Sequence, residues 1–482
     1  MSNFSNTRWV ALSQGARVIS QLVSMTVLAR LLAPDAYGLM ALAAIVTNLA
    51  YLFRDMGTGA ALIQAAAVSP RMAATVHWSN LGLGLLIGLA VAVSAPLMAH
   101  LFHEPQLQSV LCLLALVFPV TAVGVVHQAL LERESKFSTV AGAEIAAALA
   151  GLVAALVLAW RGAGVFSLVA QMIVATVVST SIIVLRSSFK PERHWALDEF
   201  KSIAGFSGNL SLFNVVLYIS RNADSMVVGR MLGSASLGVY SMAYRLMLFP
   251  LQNMTFVASR VLFPLMSRKQ GGGEVAEVAA LFLRTLGFIA FLTAPLMAGL
   301  YCLRAPFVQV MLGPQWQSAV VLLAWLAPVG FIQSLVSSTG TVLMARGSTG
   351  LMLRLGLLGA VLQVGAVMVG ARWGIEGVAA AYLAANLLNA VPSLYFSGRL
   401  IGVSLLDVLR SVAPASAAAL LMALALQACG PLVAQLVRNP LAALLVQVAI
   451  GVLAYAAAAA VLLRPQLLSL RSLVGFQKKV EA

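Results

Sequence analysis

One pattern recurs along most of this chain: roughly two dozen apolar residues, a short polar break, then another apolar run. A helix crosses a hydrocarbon core about 30 Å thick with about 20 residues, so each run is long enough to span a membrane. No single water-soluble core could bury them all. Apolar residues make up 61% of the 482 and charged ones only 9%, against about 25% in an average soluble domain. The predicted fold class is an all-α polytopic membrane protein.

Spans are placed near 9–32, 37–58, 76–99, 107–131, 138–160, 164–185, 206–229, 237–263, 279–303, 318–345, 350–371, 375–398, 409–428 and 441–463, about fourteen in all. Neighbouring spans crowd most closely around Pro34, Gly162 and Trp373. The Lys and Arg residues then fix orientation, because cytoplasmic loops carry the excess. Of 30 such residues, 21 fall on the side that holds both termini, six on the other, and Arg17, Arg221 and Arg245 inside spans. A miscounted span would invert every later loop and erase that asymmetry. Both termini are therefore expected in the cytoplasm. The net charge of +15 is spread singly between apolar runs, which is a membrane-loop pattern and not a nucleic-acid footprint. Cys112, Cys302 and Cys429 lie inside apolar runs and suggest neither a disulfide framework nor a zinc site. The first run is too long for a signal-peptide core, carries Arg17 and precedes no A-x-A site, so no cleaved leader is expected.

The chain also repeats itself on a larger scale. RLLAPDAYGL at 30–39 returns as RMLGSASLGV at 230–239, with Arg, Leu and Gly in register. APLMA occurs at 95–99 and 294–298, and QSVLCLLALVFPV at 108–120 matches QSAVVLLAWLAPV at 317–329. Trp160 with Gly164-Val165 aligns with Trp373 and Gly377-Val378. Four matches in one order imply duplication. The expected domains are an amino-terminal six-helix lobe with a cytoplasmic linker (1–200), a second six-helix lobe (201–403), and two further spans with a basic tail (404–482). Six spans per lobe make the repeats parallel, an arrangement suited to alternating access. The joint RSSFKPERHWALDEFKSIAGF at 186–206 reads as an interfacial helix on the cytoplasmic face. In the RLLAPDAYGL pair, Pro34-Asp35 is replaced with Gly233-Ser234 and Ala235, so the motif predicts a tight corner and no charged chemistry.

RLLAPDAYGLMALA followed by FRDMGTGAALIQ resembles the amino-terminal signature of prokaryotic polysaccharide exporters, of the Wzx-type, colanic-acid-exporter-like branch. NADSMVVGRMLGSASLGVYSMAYRLMLFP, SRVLFPLMSRKQ, LGPQWQSAVVLLAWLAP and RWGIEGVAAAYL carry the similarity through the second half. That family belongs to the multidrug/oligosaccharidyl-lipid/polysaccharide (MOP) flippase superfamily. The resemblance implies a MOP/MATE-like fold in a bacterial inner membrane. It also implies a flippase that moves undecaprenyl-pyrophosphate-linked oligosaccharide from the cytoplasmic to the periplasmic leaflet, for exopolysaccharide or lipopolysaccharide O-antigen synthesis. No cofactor is implied. The implied partners are the lipid-linked oligosaccharide, membrane lipids, and the polysaccharide polymerase and chain-length machinery.

Such a substrate needs cationic groups for its pyrophosphate, and arginine binds phosphate bidentately while staying charged. A charge within a span costs about 2.5–3.5 kcal/mol on insertion scales, so it marks a functional candidate. Arg17 and Arg245, each about two turns into a span, are either cavity-facing phosphate ligands or snorkelling and interhelical groups. Arg221 has Asp224 three residues on, hence on the same face, and reads as a structural ion pair or a second phosphate group. Arg54 and Asp55 close span 2, at the interface or at the cytoplasmic entrance. Glu144 is either an interfacial carboxylate or a partner and proton carrier across the cavity. HLFHE at 100–104 matches no zinc pattern and reads as an interfacial loop, and His77, His127 and His194 stand alone. GLGLLIG at 82–88 lies inside a span, where small residues allow close helix packing. The GGG at 271–273 reads as a linker.

Two other function classes compete. A membrane polymerase or ligase would need large external loops bearing acid/base groups, and the external breaks are short. A drug or cation antiporter of the MOP superfamily would need an intramembrane carboxylate, for which Asp224 and Glu144 are the candidates. A peptidoglycan-precursor flippase would need the same cations as a polysaccharide flippase.

Overall fold

The structure, a computed structural model, describes residues 3–54, 58–65, 68–196, 218, 222–248 and 275–462. Arg221, Asp55, the GGG at 271–273 and residues 197–206 of the joint lie outside them. The described residues form helices and no strand. In chain order these are α1 (Asn3–Leu31), α2 (Pro34–Arg54), α3 (Thr58–Gln64), α4 (Pro70–Phe102), α5 (Gln106–Ala115), α6 (Val117–Arg133), α7 (Phe137–Trp160) and α8 (Val165–Arg186). Helix then runs through 222–248 but turns at Gly233, whose φ is +82°; the parts before and after it are α9 and α10. There follow α11 (Val275–Cys302), α12 (Arg304–Met311), α13 (Gln317–Ala345), α14 (Thr349–Gly370), α15 (Gly374–Arg399), α16 (Leu405–Leu436) and α17 (Pro440–Leu462).

Ten helical runs among the described residues are long and apolar enough to cross a membrane. The expected fourteen is approached without being reached. The run Gly350–Arg399 holds two expected spans, Val18–Leu31 is a shorter apolar helix, and the seventh and eighth expected spans lie partly outside the described residues. The helices expose large apolar side chains as well as bury them. On α4, Leu86, Leu89, Val93 and Leu97 are each more than 60% exposed, while Ile87, Val91 and Ala95 are buried. An exposed leucine ridge over a packed small-residue face is what a lipid-facing helix presents.

The chain divides into two compact units, Met1–Val239 and Tyr240–Ala482. In the first, α7 packs on α8 and α1, and α4 packs on α5 and α6. The glycines of GLGLLIG serve that packing: a Cβ on Gly84 would meet the Cβ of Ala122 at 2.6 Å, and one on Gly88 the Ala115 carbonyl at 2.9 Å. The expected span 107–131 is broken at Leu116, between α5 and α6. Pro119 has no N–H to return to the Ala115 carbonyl, so the α-helical ladder is interrupted there.

The duplicated corner motif shows its purpose in this unit. Pro34 opens α2, and the Asp35 side chain accepts from the Ala36 N–H at 2.8 Å. In the second copy Gly233 makes the turn with positive φ. The two corners then pack on each other reciprocally. A Cβ on Gly38 would lie 1.7 Å from the Ser234 carbonyl oxygen, and one on Gly238 1.8 Å from that of Pro34. Pro34 and Ser234 are equivalent in the repeat, as are Gly38 and Gly238, so the crossing is a pseudo-two-fold contact at its closest approach. Glu104, at the end of HLFHE, accepts from the Ser234 N–H at 3.1 Å and ties α9–α10 to the α4–α5 corner.

The described part of the joint departs from expectation. Residues 187–196 carry no helix and lie as an extended strap along α4. Trp195 donates from Nε1 to Ser79 Oγ at 2.9 Å, Trp78 donates to the Glu192 carbonyl at 2.8 Å, and the Ala196 N–H donates to Thr75 Oγ1. Pro191 has no N–H for a helical bond, and anchoring by both tryptophans replaces the apolar face that an interfacial helix would have buried.

In the second unit, Phe282, Leu286, Ala290 and Ala294 of α11 form one core with Val408, Val412, Ala415, Ala419 and Met422 of α16. The two additional helices therefore belong to this unit's core. Ser404 and Asp407 form a reciprocal capping box that starts α16, whose N–H groups would otherwise lack partners. The α14–α15 corner closes at Gly370 and Gly377, where an added Cβ on either would meet the other's carbonyl oxygen at 2.4 Å. Trp373 at this corner is 70% exposed, and its repeat partner Trp160 is 82% exposed, as befits paired tryptophans at a membrane–water interface.

Candidate substrate-binding groups

Each candidate charge has a distinct setting. Arg17 lies on α1, with only its backbone described. Arg54 closes α2 partly buried, with its guanidinium carbon 4.7 Å above the centre of the Tyr51 ring. Its Nε is buried and has no hydrogen-bond partner among the described residues. A guanidinium held by an aromatic face keeps part of its donor fork available for an anion. Arg245 is exposed on α10, and Glu144 is partly buried on α7. Asp224 is partly buried on α9 and accepts from the Ser225 N–H at 2.7 Å. Its expected pairing with Arg221 lies outside the described residues. Among the described residues no group of three or more His, Cys, Asp or Glu side chains could hold a metal ion.

Two buried polar clusters escape a search for charges. In the first unit His77 and His127 do not stand alone. Their rings meet edge to face with centroids 5.8 Å apart, and Phe189 of the strap packs against both. Nearby, Thr58 Oγ1 donates to Asn80 Oδ1 at 3.1 Å, and Arg133 Nη1 donates to the carbonyls of Leu62, Ile63 and Ala65. That guanidinium satisfies the exposed carboxyl end of α3, so the TGAALIQ part of the FRDMGTGAALIQ motif is a helix clipped in place.

In the second unit, a tyrosine–amide network joins α10, α13 and α15. Asn386 Nδ2 donates to the Tyr382 carbonyl one turn back at 2.8 Å, which leaves Oδ1 to accept from Gln333 Nε2 at 3.1 Å. Gln333 Nε2 also donates to the Tyr382 hydroxyl at 3.0 Å, and that hydroxyl lies 3.4 Å from the hydroxyl of Tyr244. Tyr382 and Asn386 are buried, whereas Gln333 and Tyr244 are partly exposed. The available signal was YLAANLL, which places Tyr382 and Asn386 four residues apart and so on one helix face.

Comparison with known proteins agrees with this architecture. The family model described as polysaccharide biosynthesis protein matches residues 27–321. The chain is 26% identical over 398 residues to the lipopolysaccharide biosynthesis protein WzxC of Escherichia coli (strain K12), covering 81% of this chain and 80% of that one. It is 29% identical over 392 residues to the succinoglycan biosynthesis transport protein ExoT of Rhizobium meliloti (strain 1021), covering 81% and 78%. In fold it is similar to the lipid II flippase MurJ in an inward closed conformation, with a TM-score of 0.73 over 95% of this chain and 99% of that one at 13% identity. It is also similar to an inward-facing MATE family transporter of the MOP superfamily, with a TM-score of 0.60 over 80% of this chain and 94% of that one at 16% identity. With a match over more than half of its length, and a MOP-type helical fold, the chain belongs to the polysaccharide biosynthesis protein family.

Proposed function

We propose that this multi-pass membrane protein is a flippase for undecaprenyl-pyrophosphate-linked oligosaccharide, working from the cytoplasmic to the periplasmic leaflet of a bacterial inner membrane. The observation that carries the reading is the similarity to a succinoglycan biosynthesis transport protein over about four fifths of both chains. The physical demands of the task fit the residues. A pyrophosphate carries charge that lipid cannot solvate, and arginines at membrane depth offer it bidentate donors in a low-dielectric setting. Arg54, with its buried Nε unpartnered among the described residues, suits the cytoplasmic entrance, while Arg17, Arg221 and Arg245 are the deeper groups. Asp224, Asp55 and Glu144 would balance those cations or carry a coupling proton. Alternating access would expose the site to one leaflet at a time, and the reaction makes and breaks no covalent bond.

Removal of the protein tests the reading. A lipid-linked oligosaccharide should then accumulate on the cytoplasmic face of the membrane, and exported polysaccharide should fall. Accumulation of peptidoglycan precursor instead would identify the rival flippase. No accumulated lipid-linked species of either kind would sink the proposal. Changing Arg17 and Arg245 together to Gln should lower export about tenfold or more, the effect of losing charge-assisted bonds worth about 1.5–3 kcal/mol each. Export at the wild-type rate in that double variant would refute the cationic cavity.

A further inference from the structure

A lipid-linked oligosaccharide presents two different chemistries, a charged pyrophosphate and a neutral array of hydroxyl groups. The arginines answer only the first. We propose that the network of Tyr244, Gln333, Tyr382 and Asn386 recognises the sugar, an inference that rests on the flippase reading above. Gln333 is near the middle of the 29-residue α13, and Asn386 near the middle of the 26-residue α15. At that depth lipid offers no hydrogen bonds, so a polar group left accessible is stable only where it faces protein or water.

The bonding pattern then determines what Gln333 offers. Asn386 spends an N–H on a backbone carbonyl, so its oxygen must accept from Gln333. Gln333 spends its amide nitrogen on Asn386 and on the Tyr382 hydroxyl. Its Oε1 has no partner among the described residues and is not among the buried unpartnered atoms. The buried half of the network therefore holds the amide in one orientation and leaves an acceptor available at mid-membrane. Tyr244 is partly exposed, and Tyr240 stacks on it with 19° between the rings, 6.1 Å apart. A fixed amide beside tyrosine rings, without a net charge, matches a sugar, whose hydroxyls donate and accept and whose C–H faces pack on aromatic rings. If the network only joined helices, neither the accessible Oε1 nor the partly exposed position of Gln333 would be needed.

The test uses the full chain, purified into lipid nanodiscs, and two probes. One is the undecaprenyl-pyrophosphate oligosaccharide extracted from the host cells; the other is undecaprenyl pyrophosphate without sugar. Gln333→Leu should weaken binding of the glycosylated lipid about tenfold and that of the bare lipid less than about twofold, as expected for the loss of one ligand hydrogen bond. The retained binding of the bare lipid shows that the variant is folded. Should Gln333→Leu bind neither probe, Tyr244→Phe decides, since it removes one hydroxyl and leaves the Gln333–Asn386 bond in place; it should weaken the glycosylated lipid selectively, about threefold or more. Equal weakening of both probes, or no weakening of either, overturns the proposal while leaving the flippase reading intact. Wild-type protein that binds both probes equally overturns the glycan reading and this proposal with it.

Discussion

Gly38 and Gly238 sit where two copies of one motif cross, and each is opposed by a backbone carbonyl that cannot swing aside as a side chain would. Gly38→Ala should therefore cost about 2 kcal/mol or more, the upper range for overpacking a close contact. Gly82→Ala, which would place its methyl group where nothing lies within 4 Å, should be tolerated in the same thermal-unfolding measurement. Similar melting of the two variants would mean that the corners do not meet so closely. The sequence made these glycines visible because the repeat kept them in register. It made the arginines visible because an ion within a span stands out from its neighbours. The amides of Gln333 and Asn386 were harder to see. They are neutral, and Gln333 lies 49 residues from Tyr382 and 53 from Asn386, so no local spacing links them.

At the scale of elements, most helices follow from apolar runs and their stops: Ser69 caps α4 before Pro70, and the Ser404–Asp407 box starts α16. Two short elements depend on partners far along the chain. The helix α3 is held by Arg133, from about 70 residues away. Arg133→Ala should leave its last carbonyls unsatisfied, cost about 1–3 kcal/mol, and raise hydrogen exchange over 58–65 while α4 stays protected. Unchanged exchange there would show that the clip is dispensable. The strap at 187–196 has the basic residues and the tryptophan of an interfacial helix, and composition alone points that way. Composition could not reveal that Ser79 and Thr75 accept its donors. Trp195→Ala should free the strap, seen as faster proteolysis between Ser187 and Ala196; protection equal to wild type would contradict the anchoring.

For the whole molecule, the run of apolar spans and the ordered motif pairs carried fold class and family, because both depend on patterns repeated over hundreds of residues. The exact number of crossings was less legible, since closely spaced spans such as those flanking Trp373 merge into one long apolar run. Orientation rests on the Lys and Arg asymmetry. In a variant lacking Cys112, Cys302 and Cys429, Arg346→Cys should react with an impermeant maleimide from the cytoplasmic side and Arg161→Cys from the opposite side. The reverse pattern would invert the topology and with it the direction of transport. The central claim is translocation itself. Purified protein in vesicles holding host-extracted lipid-linked oligosaccharide on one leaflet should move that lipid to the other leaflet over time, faster than protein-free vesicles. Equal rates with and without the protein would contradict the account.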